Sequence, residues 1–328
     1  MSKQLPVEML VFAGIIILIG LLALAVNVQT RDTSSLPKLG AAPELAGISG
    51  WINAEPTNLS GLRGKVVLVD FWTYTCINCI RTIPHLNALN EKYKDRGLVI
   101  LGVHTPEFEF EKDYNNVKAA TEQYDIKYAV AQDNEYATWR AYGNNYWPRQ
   151  YLIDKEGNIR YDHIGEGGYD KTEKAIQSLL GLKEDMIREN LTYDLSQVGT
   201  SELYLGYKFA RAPLGNPVEA LPEMPVDYKT INITTPNIVY LDGRWVTRED
   251  RIVSVANGSV FLVYRSKDVN IVADGNSKAD IFLDGFRVVD GIEGKDVSGG
   301  TLVVNSQRLY NIVSTESYGS HLLEIRTQ

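Results

Sequence analysis

Cysteine, histidine and methionine are scarce in this chain. Its 328 residues hold two cysteines, four histidines and four methionines. Two cysteines cannot build the disulfide framework that staples small secreted domains. They leave three readings: metal ligands, inert buried thiols, or a dithiol that cycles with a disulfide. A closed zinc site takes four ligands. The chain has no third cysteine, and no histidine is spaced to complete such a set. Basic excess is lacking too. Lys and Arg number 33 against 41 Asp and Glu, for a net charge of −8 and a pI near 5.2. Nothing here is arranged to neutralise a phosphate backbone, which excludes nucleic acid as a main partner. With 44% hydrophobic and 23% charged residues the composition is that of a folded protein, not a disordered one. The length suggests two domains, or one large one.

What the sequence does have is one long apolar run. Residues 9–26, MLVFAGIIILIGLLALAV, carry no charge and no strongly polar group. At about 1.5 Å per residue the run spans roughly 27 Å, close to a bilayer core. It reads as an uncleaved single-span anchor, or as a secretory signal peptide with Ala23-Leu24-Ala25 as the cleavage site. Length favours the anchor. Either reading exports the rest of the chain, so the expected location is the cell membrane, single-pass, with the folded domains outside the cytoplasm. Residues 1–28 are expected to form the anchor and 29–42 a polar linker. Asn-x-Ser/Thr triplets at Asn58, Asn190, Asn232 and Asn257 suit export.

The cysteines sit in KVVLVDFWTYTCINCIRTIP. Val66–Trp72 reads as a buried strand, and Ile77–Tyr93 as a helix that contains Pro84. Cys76 and Cys79 fall at the junction. A helix N-terminus offers unpaired N–H groups and partial positive charge, which favour a thiolate, and the second sulfur lies one turn on. Asp70, inside the apolar strand, is a carboxyl whose pKa burial would raise toward neutrality. Further strands are expected at 98–103, 128–131, 150–154 and 159–164, with helices at 117–124, 134–142 and 169–182. The last two strands flank a Lys155-Glu156-Gly157-Asn158 turn. This alternation is an α/β pattern. Residues 184–200 form a charged connector. Beyond it come short β-rich runs at 237–241, 251–255, 260–264, 269–272, 281–283, 301–304, 309–313 and 322–325, with turn residues roughly every ten positions, as in β-sandwiches.

FWTYTCINCIRTIP, with LGVHTPEFEFEKD, YWPRQYLIDKEGNI and GEGGYDKTEKAIQSLL, resembles the thioredoxin superfamily. Within it the likeness is to the TlpA/ResA-like branch and to the thioredoxin-like region of DipZ-type thiol:disulfide interchange proteins. The resemblance implies an α/β thioredoxin fold over residues 43–183. SELYLG, VNIVADG, IFLDGF, RLYNIV and HLLEI resemble the module that follows in DipZ-type proteins, an all-β galactose-binding-like jelly roll, here expected over 201–328. That implies carbohydrate or cell-envelope binding, with no ligand residues assigned. Trp245, Tyr264 and Tyr310 could stack on a sugar but fit core positions better.

The resemblance also implies roles. Cys76 is the nucleophile and Cys79 the resolving thiol of a redox-active disulfide. Asp70 takes the proton from Cys79. Pro148 matches the cis-proline that faces the cysteines, with Trp147 before it at a specificity position. Glu107 matches an acid near the site in cytochrome-c-maturation relatives. Trp72 and Tyr74 are expected to wall the site. Ile77-Asn78 stands where thioredoxin has Gly-Pro. No metal and no cofactor are implied. The implied function is a membrane-tethered, extracytoplasmic thiol-disulfide oxidoreductase acting on exported proteins, apocytochrome c among them, and recharged by a CcdA-type membrane protein. Two alternatives stand beside it. One is an envelope glycan-binding module on an accessory thioredoxin scaffold. The other is a thiol peroxidase, for which Thr73 is in place but Val69 stands where the peroxidase motif needs proline.

Overall fold

The computed structural model describes residues 36–188, 194–210, 213–230 and 232–328. The expected anchor at 9–26 and the triplet at Asn190 lie outside the described residues. Among the described residues no helix is long and apolar enough to cross a membrane.

Two short strands, β1 (Gly40–Ala41) and β2 (Gly50–Ile52), lead into β3 (Val66–Trp72), all seven residues of which are buried. A strand buried on both faces must be covered twice, and the alternation of its side chains divides the work. Val66, Leu68 and Trp72 face one layer; Val67, Val69 and Phe71 face the other. Helix α1 (Ile77–Tyr93) follows, then β4 (Leu98–His104), α2 (Tyr114–Gln123), β5 (Ala129–Gln132), α3 (Ala137–Ala141), the hairpin of β6 (Arg149–Ile153) and β7 (Asn158–Ile164), and α4 (Tyr169–Leu180). The strand order is β1-β7-β6-β3-β4-β5-β2. β3, β4 and β5 run parallel, while β6, β7, β1 and β2 join antiparallel. Helices α1, α2 and α4 cover the Trp72 layer through Ile83, Leu86, Val117 and Ile176, and α3 covers the Phe71 layer through Trp139. This is the expected thioredoxin-like α/β sandwich.

Capping groups explain where helix bounds differ from expectation. α2 begins at Tyr114 because the Asp113 carboxylate accepts from Asn115 N at 2.7 Å. α3 begins later than expected because the Asp133 carboxylate accepts from Thr138 N and Trp139 N at 3.0 and 2.7 Å. Both satisfy amides that a helix start leaves unpaired. α4 ends where Gly181 turns left-handed at φ 73°, a backbone that side chains disfavour.

The C-terminal part is all-β. Strands β8 (Pro225–Tyr228), β9 (Val239–Thr247), β10 (Ile252–Ser254), β11 (Ser259–Ala273), β12 (Ser277–Leu283), β13 (Phe286–Arg287), β14 (Val297–Ser298), β15 (Thr301–Val304) and β16 (Arg308–Thr327) form one antiparallel sheet. Here the expected spacing is corrected. The runs at 260–264 and 269–272 are one strand, β11, and those at 309–313 and 322–325 are one strand, β16. The polar stretches that read as turns are absorbed as bulges. The β11–β16 register shifts between Ser266 and Asp268 and again between Val269 and Asn270. Side chains fill in there: Ser314 Oγ donates to Asp268 at 2.7 Å and Thr315 Oγ1 to the Lys267 carbonyl at 3.0 Å. Trp245, Tyr264 and Tyr310 are 3%, 3% and 0% exposed, so they are core residues and not a sugar-stacking face.

Candidate redox site

The site forms where β3 hands the chain to α1. Cys76 is the N-cap of α1, in extended conformation, and its Sγ accepts from Cys79 N at 3.2 Å. A side-chain acceptor there satisfies an amide the helix leaves unpaired, and it aims that N–H at the sulfur that would carry charge during attack. The next turn locks on: Ile80 N donates to the Cys76 carbonyl at 2.9 Å. Both thiols are free and buried, at 6% and 1% exposure.

Below Cys79 lies Asp70, 2% exposed. Burial pushes its carboxyl up to about 8, against a smaller opposing effect of a hydrogen bond with Gln150. The partner is a neighbour by register, since β3 and β6 pair Asp70 with Gln150. Burial pushes the Cys79 thiol well above the ordinary value, and the adjacent Cys76 sulfur and the Asp70 charge add to the shift. Cys79 therefore holds its proton, and Asp70, whose proton affinity burial also raises, lies in the same layer as a carboxyl that can take that proton up.

More distant segments are tied in through the end of β4. Thr105 N donates to the Trp72 carbonyl at 3.0 Å, and the Thr105 carbonyl accepts from Trp147 Nε1 at 3.1 Å. The Trp147–Pro148 bond is cis, and Pro148 is buried. Trp72 is 1% exposed. His104 lies edge-on to it at 5.2 Å and stacks on Tyr74 at 5.7 Å. Burial lowers the His104 imidazole to about 3, so it is neutral at physiological pH.

Glu107 is placed differently from what its resemblance implied. Its carboxylate accepts a hydrogen bond from the Tyr204 hydroxyl of the C-terminal part. The acid at the cysteines is Glu111, fully buried. It accepts from Thr75 Oγ1 at 2.6 Å and Thr75 N at 3.3 Å, and from Glu107 N and Phe108 N at 2.5 and 3.0 Å. Burial raises its pKa, and hydrogen bonds from Thr75, Thr73 and the two amides oppose the rise. Glu111 thus ties the β4–α2 loop to the residue before Cys76. The signal in the sequence was slight: a second acid four residues after Glu107, and threonines at positions 73 and 75 with no other obvious partner.

The C-terminal sheet reaches the same loop. The Tyr74 hydroxyl donates to the Gln307 carbonyl at 3.4 Å, and Asn116 Nδ2 donates to Gln307 Oε1 at 3.0 Å. Glu109 N donates to Asp250 at 3.3 Å. A cavity of about 290 Å³ lies between residues 106–112 and the C-terminal segments that carry Lys208 and Arg248. Among the described residues no three His, Cys, Asp or Glu side chains gather as a metal-ligand set.

Both parts of the chain are similar to known proteins. Residues 41–162 match the AhpC/TSA family, and residues 200–328 match a family described as the thioredoxin like C-terminal domain. Protein DipZ of Mycobacterium tuberculosis is 36% identical over 317 residues, which is 92% of this chain and 44% of that relative. This chain therefore spans less than half the length of DipZ. Thiol-disulfide oxidoreductase YkuV of Bacillus subtilis is 32% identical over 142 residues, 43% of this chain and 95% of the relative. The solution structure of a thioredoxin-like protein in the oxidised form is 32% identical, covers 43% of this chain and 95% of that one, and has a TM-score of 0.41.

Proposed function

We propose, from the premise that the chain belongs to the thioredoxin-like thiol-disulfide oxidoreductases, that it reduces or isomerises disulfides of exported proteins through Cys76 and Cys79. Cys76, as thiolate, attacks one sulfur of a client disulfide. That S–S bond breaks, one client sulfur leaves as a thiolate and takes up a proton, and the other is held by Cys76 as a mixed disulfide. Cys79 then gives its proton to Asp70 and attacks Cys76 Sγ. The Cys76–Cys79 disulfide closes and the second client thiolate leaves. Two electrons have passed from the chain to the client.

The observation that carries this reading is the placement of the pair: Cys76 caps α1, with Cys79 one turn inside and in the same buried layer as Asp70. An inert thiol pair needs no buried carboxyl of raised proton affinity beside it. The test is turnover of an insulin or client disulfide by the full chain and by Cys76→Ser. Loss of turnover in the variant is expected; unchanged turnover would remove the redox reading.

The wider setting belongs to the same proposal. The apolar run at 9–26 supports a single-pass anchor with the domains outside the cytoplasm. The separate family matches at 41–162 and 200–328 support a two-domain arrangement, with residues 43–183 as the redox domain; the all-β character of 201–328 is in keeping with a galactose-binding-like jelly roll there. A CcdA-type membrane donor would return electrons to the disulfide, and apocytochrome c is a candidate client. The thiol peroxidase reading draws on the AhpC/TSA match. Against it, Val69 holds the proline position and packs in the layer opposite the cysteines.

A further inference from the structure

One cross-sheet row runs beneath the cysteines. Register places Gln150, Asp70, Gly102 and Val130 side by side on β6, β3, β4 and β5. Asp70 is flanked on one side by an amide and on the other by a glycine. That glycine matters. A Cβ at Gly102 would lie 2.9 Å from Trp72 Nε1 and 3.3 Å from the Tyr128 ring. Two aromatic edges therefore close into the notch beside the carboxyl. Asp70 Oδ1, Trp72 Nε1 and the Tyr128 hydroxyl are all buried, and none has a hydrogen-bond partner in the protein. One acceptor and two donors are thus left unpaired in a layer that also contains Cys79. Buried polar groups are normally satisfied, and an internal water serves about three of them at once.

We propose that Tyr128 is a positioning residue of the redox site: its hydroxyl, with Trp72 Nε1, holds Asp70 Oδ1 through one internal water and keeps that carboxylate ready for the Cys79 proton. The inference rests on the dithiol reading given above. Tyr128 keeps its own proton throughout. Burial raises its phenol well above the ordinary value, and the charges on Asp70 and Cys79 add to that. It therefore acts only as a donor, and it favours the charged form of Asp70. The titratable groups around Asp70 are Cys79 and, beyond it, Cys76 from α1; Tyr128 from the segment before β5; and His104 of β4, whose ring lies against Trp72. From β6 and α4 the neighbours are neutral, Gln150 and the Thr172 hydroxyl that bonds it at 3.4 Å.

The test is Tyr128→Phe in the full chain, which removes the hydroxyl and keeps the ring. Two quantities are read: the midpoint of the Asp70 carboxyl by carbon NMR in the reduced protein, and the pH profile of client release from the Cys76 mixed disulfide. Losing a donor raises the midpoint. A rise of about one pH unit means roughly tenfold less carboxylate near neutrality and a roughly tenfold slower release. Alkylation of Cys76 should change less than about twofold, because it does not draw on Asp70. Gly102→Ala, which presses on both donors, should move the midpoint the same way. An unmoved midpoint in Tyr128→Phe overturns the proposal, and so does a moved midpoint with an unmoved release profile. If the unaltered chain releases no client at all, the dithiol reading fails instead, and the carboxyl titration still decides whether Tyr128 acts on Asp70.

Discussion

Replacing Asp70 with Asn removes a carboxyl that β3 buries at 2% exposure. The ordinary value of 3.8 rises to about 8 in the folded chain. The folded state thus binds this proton more tightly than the unfolded chain does. Below pH 3.8 the carboxyl is neutral in both states. As pH rises from there toward 8, the unfolded chain ionises and the folded one resists, so stability falls over that window and the penalty then levels off. Each tenfold difference in proton affinity is worth about 1.4 kcal/mol, so at pH 7 the buried acid lowers stability by about 4 kcal/mol. Asn has the same shape, keeps an acceptor for Gln150, and carries no charge. In urea unfolding of the reduced protein, Asp70→Asn should match the original near pH 4 and exceed it by about 4 kcal/mol at pH 7. Taking the difference between the two proteins cancels groups such as Glu173 and Asp154, whose lowered values give the opposite slope. The same variant should slow client release, since Cys79 loses its base. A difference curve flat between pH 4 and 8 would refute the reasoning.

Other perturbations probe separate parts of the account. Glu111→Ala leaves Thr75 N, Thr75 Oγ1, Glu107 N and Phe108 N without their acceptor, and should cost about 2–5 kcal/mol in thermal or urea unfolding; a loss under 1 kcal/mol would mean the loop is held elsewhere. Gly181→Ala forces a Cβ into left-handed backbone at φ 73° and should cost about 1 kcal/mol, read from the shift in urea midpoint. Tyr310→Ala empties the centre of the C-terminal core, and a loss of about 3–5 kcal/mol is expected in the unfolding of that part. Gln307→Ala removes one side-chain contact to Asn116 and should leave stability within about 1 kcal/mol, while hydrogen exchange quickens around Tyr74 and Asn116.

Much of the redox half was legible in the sequence because it rests on local signals. The apolar run of β3 and the helical pattern that opens after Cys76 set Val66–Trp72 and Ile77–Tyr93 at their observed bounds. The bounds of α2 and α3 were not legible, since they depend on whether Asp113 and Asp133 fold back as caps. The all-β character of the C-terminal part could be read, but the length of β11 and β16 could not. Polar residues 265–268 look like a turn until a partner strand bulges to accept them. Within the site, Cys76, Cys79 and Asp70 are close in sequence, and a strand followed by a helix is enough to bring them to one buried layer. Glu111 and Tyr128 reach the site only through tertiary placement, and nothing adjacent to them in sequence marks it. Glu107 was the acid the resemblance pointed to; the path of the loop turns its carboxylate to Tyr204 instead.

The central claim is that Cys76 and Cys79 exchange two electrons as one unit. Equilibrating the full chain in thiol–disulfide buffers of graded potential, and counting free thiols and protein mass at each step, tests it directly. One transition with a two-electron slope is expected, about 30 mV per tenfold change, in which both thiols vanish together and the monomer loses two hydrogens. Thiols that persist across the whole range, or that vanish only as chains link to one another, would contradict it.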